Sequence, residues 1–260
     1  METLSIIKIG GKAIEEPQEL ADFLQNFARL AGPKLLVHGG GRNATQVAEK
    51  LGLTPTLIEG RRVTDAEMLN VVVMVYAGQV NKSIVSQLQS FQCNALGFTG
   101  ADANIILAQR RSPHPVDYGF VGDVVQVNVA PLQSLLTQNI VPVIAPLTHD
   151  GKGNLLNTNA DTITARLAQA FTRFYQVKVY YCFEKPGVLQ DSKDDTSWLP
   201  TLSPTQYAQM KAQGAVADGM IPKLDNAFQT LQSGVREVYI LHYHAVAHLD
   251  HDLTGTRLCL

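Results

Sequence analysis

Lys8 stands inside the apolar run Leu4-Ser-Ile-Ile-Lys-Ile9, where a lysine charge is costly unless it meets an anion. Gly10 and Gly11 follow at once and let the backbone approach a ligand closely. A second lysine, Lys223, closes the segment Asp218-Gly219-Met220-Ile-Pro-Lys223, directly behind a proline that suits a first helical turn. A cation there faces the positive end of the helix dipole, and a bound phosphate would reverse that penalty. Asn157-Thr-Asn159-Ala-Asp161 sets three polar groups in five residues at a helix start, more than capping needs. An acid there could hold two lysines through charge-assisted hydrogen bonds. His38-Gly39-Gly40-Gly41 joins a strand to a helix, and free backbone N–H groups at such a junction bind phosphate. Arg62, in Gly60-Arg-Arg-Val-Thr-Asp65, could clamp a carboxylate with two parallel hydrogen bonds.

Each part has a plainer reading on its own. Lys8 could snorkel from a sheet edge to water, and Lys223 could be an exposed lysine at a small dipole cost. The Asn/Asp cluster could only cap, the glycines could only turn, and Arg62 could be solvated. Gly39-x-Gly41-x-x-Ala44 also fits a dinucleotide fingerprint, with Glu59 20 residues past Gly39, which would make the chain an NAD(P)-dependent reductase. That fingerprint usually follows the first strand, and here it follows the second. No Gly-x-x-x-x-Gly-Lys-Ser/Thr loop and no Gly-x-Ser-x-Gly elbow is present. His242, His244 and His248, with His251 nearby, invite a metal reading. His244 and His248 share a face only if that stretch is α-helical, and no acidic or cysteine frame surrounds them.

The elements that must position these residues alternate. Leu4–Ile9 and Lys34–His38 read as strands, each followed by glycines, and Pro17–Leu30 and Arg42–Leu51 read as helices. This rhythm predicts an α/β fold with a largely parallel sheet. Asp65–Gln89 has strand-like valines, but its length, lack of proline and Thr64 or Asp65 cap predict a helix. Its middle is apolar almost all round, so it must be covered on two sides, and a subunit interface is one cover. Strands are expected at Asn94–Phe98, Ile105–Gln109, Phe120–Val127, Val141–Ala145, Val177–Cys182 and Val238–Leu241. Helices are expected at Leu132–Gln138, Thr158–Phe171, Thr205–Gln213 and Pro222–Leu231, with a loop over Lys185–Pro200. A boundary falls near residue 173, giving parts 1–173 and 174–260.

The 260 residues suffice for a core without covalent staples, and 45% hydrophobic with 17% charged residues is ordinary for a globular chain. A formal net charge of −2 offers no basic field for nucleic acid. No apolar run is expected to reach the roughly 20 residues that span a bilayer, and the acidic N-terminus lacks the basic region of a signal peptide. Cys93, Cys182 and Cys259 are too few and too scattered for a disulfide framework or a zinc site, so reduced thiols in the cytoplasm are expected.

Taken in order, Lys8-Ile-Gly-Gly11, His38-Gly-Gly-Gly41, Gly60–Asp65, Asn157–Asp161, Asp218–Lys223 and Gly255-Thr-Arg257 resemble the amino-acid kinase family across nearly the whole chain. The resemblance is nearest to the branch that phosphorylates N-acylated glutamate. It implies a three-layer α/β/α sandwich with a mainly parallel central sheet. Residues 1–173 would hold the acyl-amino acid and 174–260 would hold ATP. The family's pattern makes Lys8 and Lys223 the stabilisers of the transferring phosphoryl group and Asp161 the residue that orients them. Gly10, Gly11, Gly40 and Gly41 would donate backbone hydrogen bonds to phosphate oxygens, while Arg62 and Asn157 would bind the substrate's α-carboxylate. Glu184, Gly187, Gly219 and Met220 fall on the nucleotide side. Mg2+ would arrive on ATP rather than on a protein metal site. The implied reaction moves the γ-phosphate of ATP to the side-chain carboxylate of N-acetyl-L-glutamate, or alternatively N-succinyl-L-glutamate, in arginine biosynthesis; another family member, such as an aspartate, carbamate or glutamate kinase, is a further alternative. Two departures stand out: Phe183-Glu-Lys-Pro-Gly187 replaces the Ser-Asp-Val-x-Gly segment of many relatives, and Gly97–Asn104 is unusual near the acyl pocket. With the first strand beginning near residue 4, no N-terminal helix of the arginine-inhibited hexamers is expected, and a homodimer through the 65–89 helix is.

Overall fold

The computed structural model describes residues 1–58, 60–216, 219–249 and 253–260. The chain begins with β1 (Thr3–Ile9), the short α1 (Lys12–Glu15), α2 (Pro17–Arg29), β2 (Lys34–His38) and α3 (Gly41–Lys50). A small hairpin of β3 (Leu57–Ile58) and β4 (Arg61–Arg62) leads to α4 (Ala66–Val72), a π-helical stretch (Val73–Val80) and α5 (Asn81–Ser90). Next come β5 (Ala95–Phe98), β6 (Ile106–Arg110), β7 (Gly122–Val127), α6 (Ala130–Leu136), β8 (Val141–Ile144), β9 (Leu147–His149), β10 (Leu155–Asn157) and α7 (Ala160–Phe171). The remainder holds β11 (Gln176–Phe183), β12 (Thr201–Leu202), α8 (Pro204–Ala212), α9 (Ile221–Gln232), β13 (Glu237–His242), a 3₁₀ run (Tyr243–His248) and β14 (Thr256–Leu258).

Strand periodicity explains the layers. On β1, Leu4 and Ile6 point into a core shared with Ile163 and Leu167 of α7 and Leu224 and Ala227 of α9. Ile7 and Ile9 point the other way, into a core with Phe23 and Phe27 of α2 and Val75 and Ile84 of the long helix. A strand buried on both faces must be covered by helices on both, which gives the three-layer α/β/α sandwich. The main sheet has eight strands in the order β12-β14-β13-β11-β1-β2-β8-β5. It is parallel except that β14 and its parallel neighbour β12 run against the rest. A four-stranded sheet, β10-β9-β6-β7, and the β3-β4 hairpin lie beside it. β1 pairs with β2 on one side and β11 on the other, so the strand order reverses there. Ligands of open parallel sheets bind beyond the carboxyl ends of the strands at such a reversal. The pairing from Thr3↔Gln176 to Ile9↔Cys182 also joins the two parts of the chain, 1–173 and 174–260, in one sheet.

The expected strands and helices are present, with ends shifted by a few residues. The short β3, β4, β9, β10, β12 and β14, of two or three residues each, carry too little pattern to read from sequence. The 65–89 stretch is helical from Ala66 to Ser90, with the Asp65 side chain accepting from the Met68 N–H as a cap. Its buried positions run Met68, Val71, Val72, Val75, Tyr76, then Val80, Asn81, Ile84 and Leu88. The five-residue step from Val75 to Val80 and from Tyr76 to Asn81 is the π-helical insertion, which keeps both halves of the stripe on the core. At 25 residues, this helix is long and apolar enough by length and composition to cross a membrane, contrary to the expectation of no such run. Its buried stripe is that of a helix packed into a protein core. Met74, on its other side, is 54% exposed in the single chain.

Candidate active site

The alternation that puts Leu4 and Ile6 under α7 and α9 also puts Lys8 there, at the carboxyl end of β1. Its ammonium lies 2.9 Å from Asp161 Oδ1, with both side chains more than nine-tenths buried. Asp161 is carried by the first turn of α7, whose Asn159 side chain caps the helix by accepting from the Asp161 and Thr162 N–H groups at 2.8 and 3.0 Å. Asn159, not Asn157, is therefore the cap. Oδ1 of Asp161 has its charge partner in Lys8, but the approach misses hydrogen-bond geometry and no other described group donates to it. Lys223, in the first turn of α9, comes over the face of Phe183 at 4.1 Å from the ring centroid, and Lys8 lies 4.9 Å from the same centroid. Burial, and then the repulsion of Lys8, push the Lys223 pKa down, while Asp161 and Glu184 pull it back. Two cations and one buried carboxylate leave this pocket short of negative charge, which an anion would supply.

Two glycine turns border it. Gly10 and Gly11 follow β1, and a Cβ on Gly10 would meet Lys8 Nζ at 3.0 Å. Gly11 has φ 64°, where any residue with a Cβ is strained, and a Cβ there would stand 2.7 Å from Glu184 Oε1. The Gly39 N–H donates to the Ile9 carbonyl at 2.8 Å and ties the second turn to the first. Gly40 has φ 148° and lies against the Tyr76 ring, and α3 begins at Gly41 with no side-chain cap on its first N–H groups. His38 braces this turn from beneath. It is fully buried, and desolvation lowers its pKa to about 4, so it is neutral at neutral pH. Its Nδ1 is 2.7 Å from the Gly39 carbonyl and its Nε2 3.1 Å from the Asn81 amide nitrogen, which also donates to the Val143 carbonyl.

Arg62 is brought to the same turn by the β3-β4 hairpin. Its Nη2 donates to the Gly41 carbonyl at 2.8 Å and to Thr45 Oγ1 at 2.7 Å, and Nη1 points at Met68 Sδ. Asn157, at the end of β10, donates to Thr64 Oγ1 at 3.0 Å, and that hydroxyl donates to the Arg62 carbonyl. Arg62, Asn157 and Gly41 thus form one polar corner. Tyr76 completes it: burial pushes its pKa up and Arg62 pulls the other way. Tyr76 and Asn81 were not singled out by sequence reasoning, and His38 was named only as the start of the His38–Gly41 turn. The available signal was His38, a polar side chain in a strand whose other positions are buried.

The nucleotide-side residues divide. Gly219 and Met220 lead into α9 beside Lys223, while Asp218 lies outside the described residues. Glu184 accepts from the Lys12 N–H at 2.7 Å, and as an acceptor-only carboxylate it is not itself a binder of phosphate. Gly187 sits against Thr256, whose Oγ1 would be 2.6 Å from an added Cβ, so its role is close packing of the loop on β14. Thr256 Oγ1 accepts from the Val188 N–H and donates to the Leu199 carbonyl. The histidines do not gather into a metal site: among the described residues no group of three His, Cys, Asp or Glu side chains could hold an ion. His242 and His244 stack edge to face, His244 pairs with Glu19 at 2.5 Å, and the run is 3₁₀, so His244 and His248 do not share a face. His251, and Glu59 of the dinucleotide reading, lie outside the described residues.

Comparison with known proteins fits this geometry. Residues 3–242 match the model of the amino acid kinase family. An acetylglutamate kinase of Cytophaga hutchinsonii is 49% identical over 261 residues, covering 99% of each chain. Another acetylglutamate kinase, from Phocaeicola vulgatus, is 53% identical over 239 residues, 92% of this chain and 93% of that one. A solved Streptococcus mutans protein superposes with a TM-score of 0.80 at 26% identity, covering 98% of both chains. The dinucleotide reading of Gly39–Ala44 falls with this match, because the family model and the full-length relatives are kinases. The chain belongs to the amino acid kinase family.

Proposed function

We propose that this chain transfers the γ-phosphate of ATP to the side-chain carboxylate of N-acetyl-L-glutamate, giving N-acetyl-L-glutamyl 5-phosphate for arginine biosynthesis. The observation that carries the reading is the pair of lysines over Phe183, one of them paired with the buried carboxylate of Asp161. Phosphoryl transfer to a carboxylate brings two anions together, and it needs charge neutralisation and alignment rather than a covalent partner. Lys8 and Lys223 supply the neutralisation, and Asp161 fixes Lys8 without carrying a proton. The attacking carboxylate is ionised at neutral pH, so no general base is required. Backbone N–H groups at Gly10–Gly11 and Gly40–Gly41 receive phosphate oxygens. Arg62 and Asn157 take the substrate's α-carboxylate, Arg62 by exchanging part of its bonding to Gly41 and Thr45.

Asp161 is occupied by Lys8, and the described residues form no cluster of metal ligands, so the donor set suits an ion that arrives with the nucleotide. Mg2+ is usually held in this way, by substrate phosphates with at most one or two carboxylates, and it adds positive charge to the phosphates when bound. Residues 1–173 hold the acylglutamate and 174–260 the ATP. The outer side of the Ala66–Ser90 helix around Met74, where Val73 and Ala77 are half-buried, is the face for a homodimer, and the free thiols of Cys93, Cys182 and Cys259 suit the cytoplasm.

The test is a hydroxylamine trap for acyl phosphate with Mg-ATP and N-acetyl-L-glutamate, N-succinyl-L-glutamate, L-glutamate and L-aspartate as acceptors. Strong signal with N-acetyl-L-glutamate alone is expected. Signal confined to N-succinyl-L-glutamate replaces the acyl group in the proposal, and silence with every acceptor removes the reaction itself.

A further inference from the structure

The glycine turn after β1 is not open at its last donor. The Lys12 N–H donates to Glu184 Oε1 at 2.7 Å, and that oxygen lies 2.7 Å from where a Cβ on Gly11 would stand. β11 runs parallel to β1 with Cys182 beside Ile9, so residue 184 is delivered to this turn by the sheet register. A carboxylate has no proton to offer a phosphate oxygen at neutral pH, and its charge repels one. Glu184 can therefore stand where a phosphate oxygen would stand, but it cannot stay beside one unchanged. A second partner is at hand: Arg42 Nη1 is 3.7 Å from the same Oε1 and 3.2 Å from Glu15 Oε2. Arg42 is 63% exposed and the Glu184 side chain 40% exposed, so both have room to move. The remaining charges nearby agree. Glu184 acts on Lys223 and on His242, and its carboxylate partly offsets the cation excess of the lysine pocket.

We propose that Glu184 is a displaceable phosphate mimic, its carboxylate filling the Lys12 donor until a nucleotide phosphate expels it toward Arg42. The cation excess of the empty site is thereby reduced, and nucleotide affinity is set below what the lysines and glycine turns alone would give. The inference rests on the phosphoryl-transfer reading, because the expelling group is the nucleotide's phosphate.

Binding of the non-hydrolysable analogue AMP-PNP, measured by calorimetry with and without Mg2+, tests it on the full chain. Glu184→Gln is expected to tighten binding about fivefold or more in both conditions, the scale of one removed repulsion at a half-exposed site. Arg42→Ala, which removes the alternative partner, is expected to weaken it. Damage to the fold cannot tighten binding, so the direction is diagnostic. Unchanged or weaker binding in Glu184→Gln overturns the proposal; weakening only with Mg2+ overturns it in favour of a carboxylate that touches the ion. Failure of the wild-type chain to form any acyl phosphate sinks the reaction reading and is scored separately from these affinities.

Discussion

Asp161 and Lys8 form a pair in which each partner makes the other tolerable, so deleting either one should cost far more stability than deleting both. Both side chains are more than nine-tenths buried, and removing one member of such a pair costs about 3–5 kcal/mol. The two single changes should differ. After Lys8→Met, Asp161 still feels Lys223, and its Oδ1 loses an ion pair rather than a hydrogen bond, which places the cost near 3 kcal/mol. After Asp161→Asn, two lysines confront each other over Phe183 with no buried anion, which places it near 5 kcal/mol. At roughly 2–4 °C per kcal/mol for a chain of this size, the Tm losses are about 6–12 °C and 10–20 °C. The double variant Lys8→Met/Asp161→Asn keeps one lysine and no unpaired acid, and should recover to within about 1 kcal/mol of the wild type, a coupling of about 7 kcal/mol, because each single loss is the cost of a buried charge left unpaired. Turnover must not recover with it, because loss of one electrostatic stabiliser lowers kcat about 10²–10³-fold whatever the fold's stability. Urea unfolding of the four proteins, with the hydroxylamine assay on each, gives both numbers. Additive stability losses would show that the two residues are not one unit, and a double variant with restored kcat would show that Lys8 is only structural.

Arg62→Lys should raise the KM for the acylglutamate about 10–100-fold and leave the KM for ATP unmoved, because a point charge cannot replace the fork; equal rises in both would place Arg62 away from the substrate. Met74→Glu puts a charge on a side chain that is 54% exposed in the single chain, so sedimentation should show monomer, with a Tm that is lowered and no longer rises with protein concentration; an intact dimer moves the interface elsewhere. His38 titrates near 6.5 when unfolded and about 4 when folded, so the unfolded chain binds more protons and stability falls as pH drops from about 6.5 to about 4. Between pH 7 and pH 5 the loss from this residue is about 2 kcal/mol, and His38→Gln should lack that part of the pH slope in urea unfolding. Equal slopes in the two proteins would mean that the buried imidazole is protonated in the native state.

The parts of the site that were legible in the sequence are those where a residue type contradicts its own pattern. Lys8 is a cation inside a β-branched run, and Lys223 is a cation at the wrong end of a helix. Both contradictions resolve at one place in the structure, over the Phe183 ring and against Asp161. The strand–glycine–helix rhythm of β1 and β2 carried the parallel sheet and hence the position of the site at its strand-order reversal. What was not legible depended on register between distant segments. That Glu184 reaches the Lys12 amide follows from the pairing of β1 with β11, across 172 residues of chain. That Asn157 serves Thr64 rather than a helix start follows from β10, a strand of three residues. The polar braces Tyr76 and Asn81 were hidden for another reason: the π-helical stretch between them shifts the helix stripe by one residue, so a fixed 3.6-residue period puts one of them on the wrong face. The insertion is what lets Tyr76 lie on Gly40 while Asn81 holds His38, so one helix supports the glycine turn after β2 at two points. An eight-residue irregularity in the longest helix of the chain is thus tied to the glycine turn after β2, where the two substrates' anionic groups are proposed to meet.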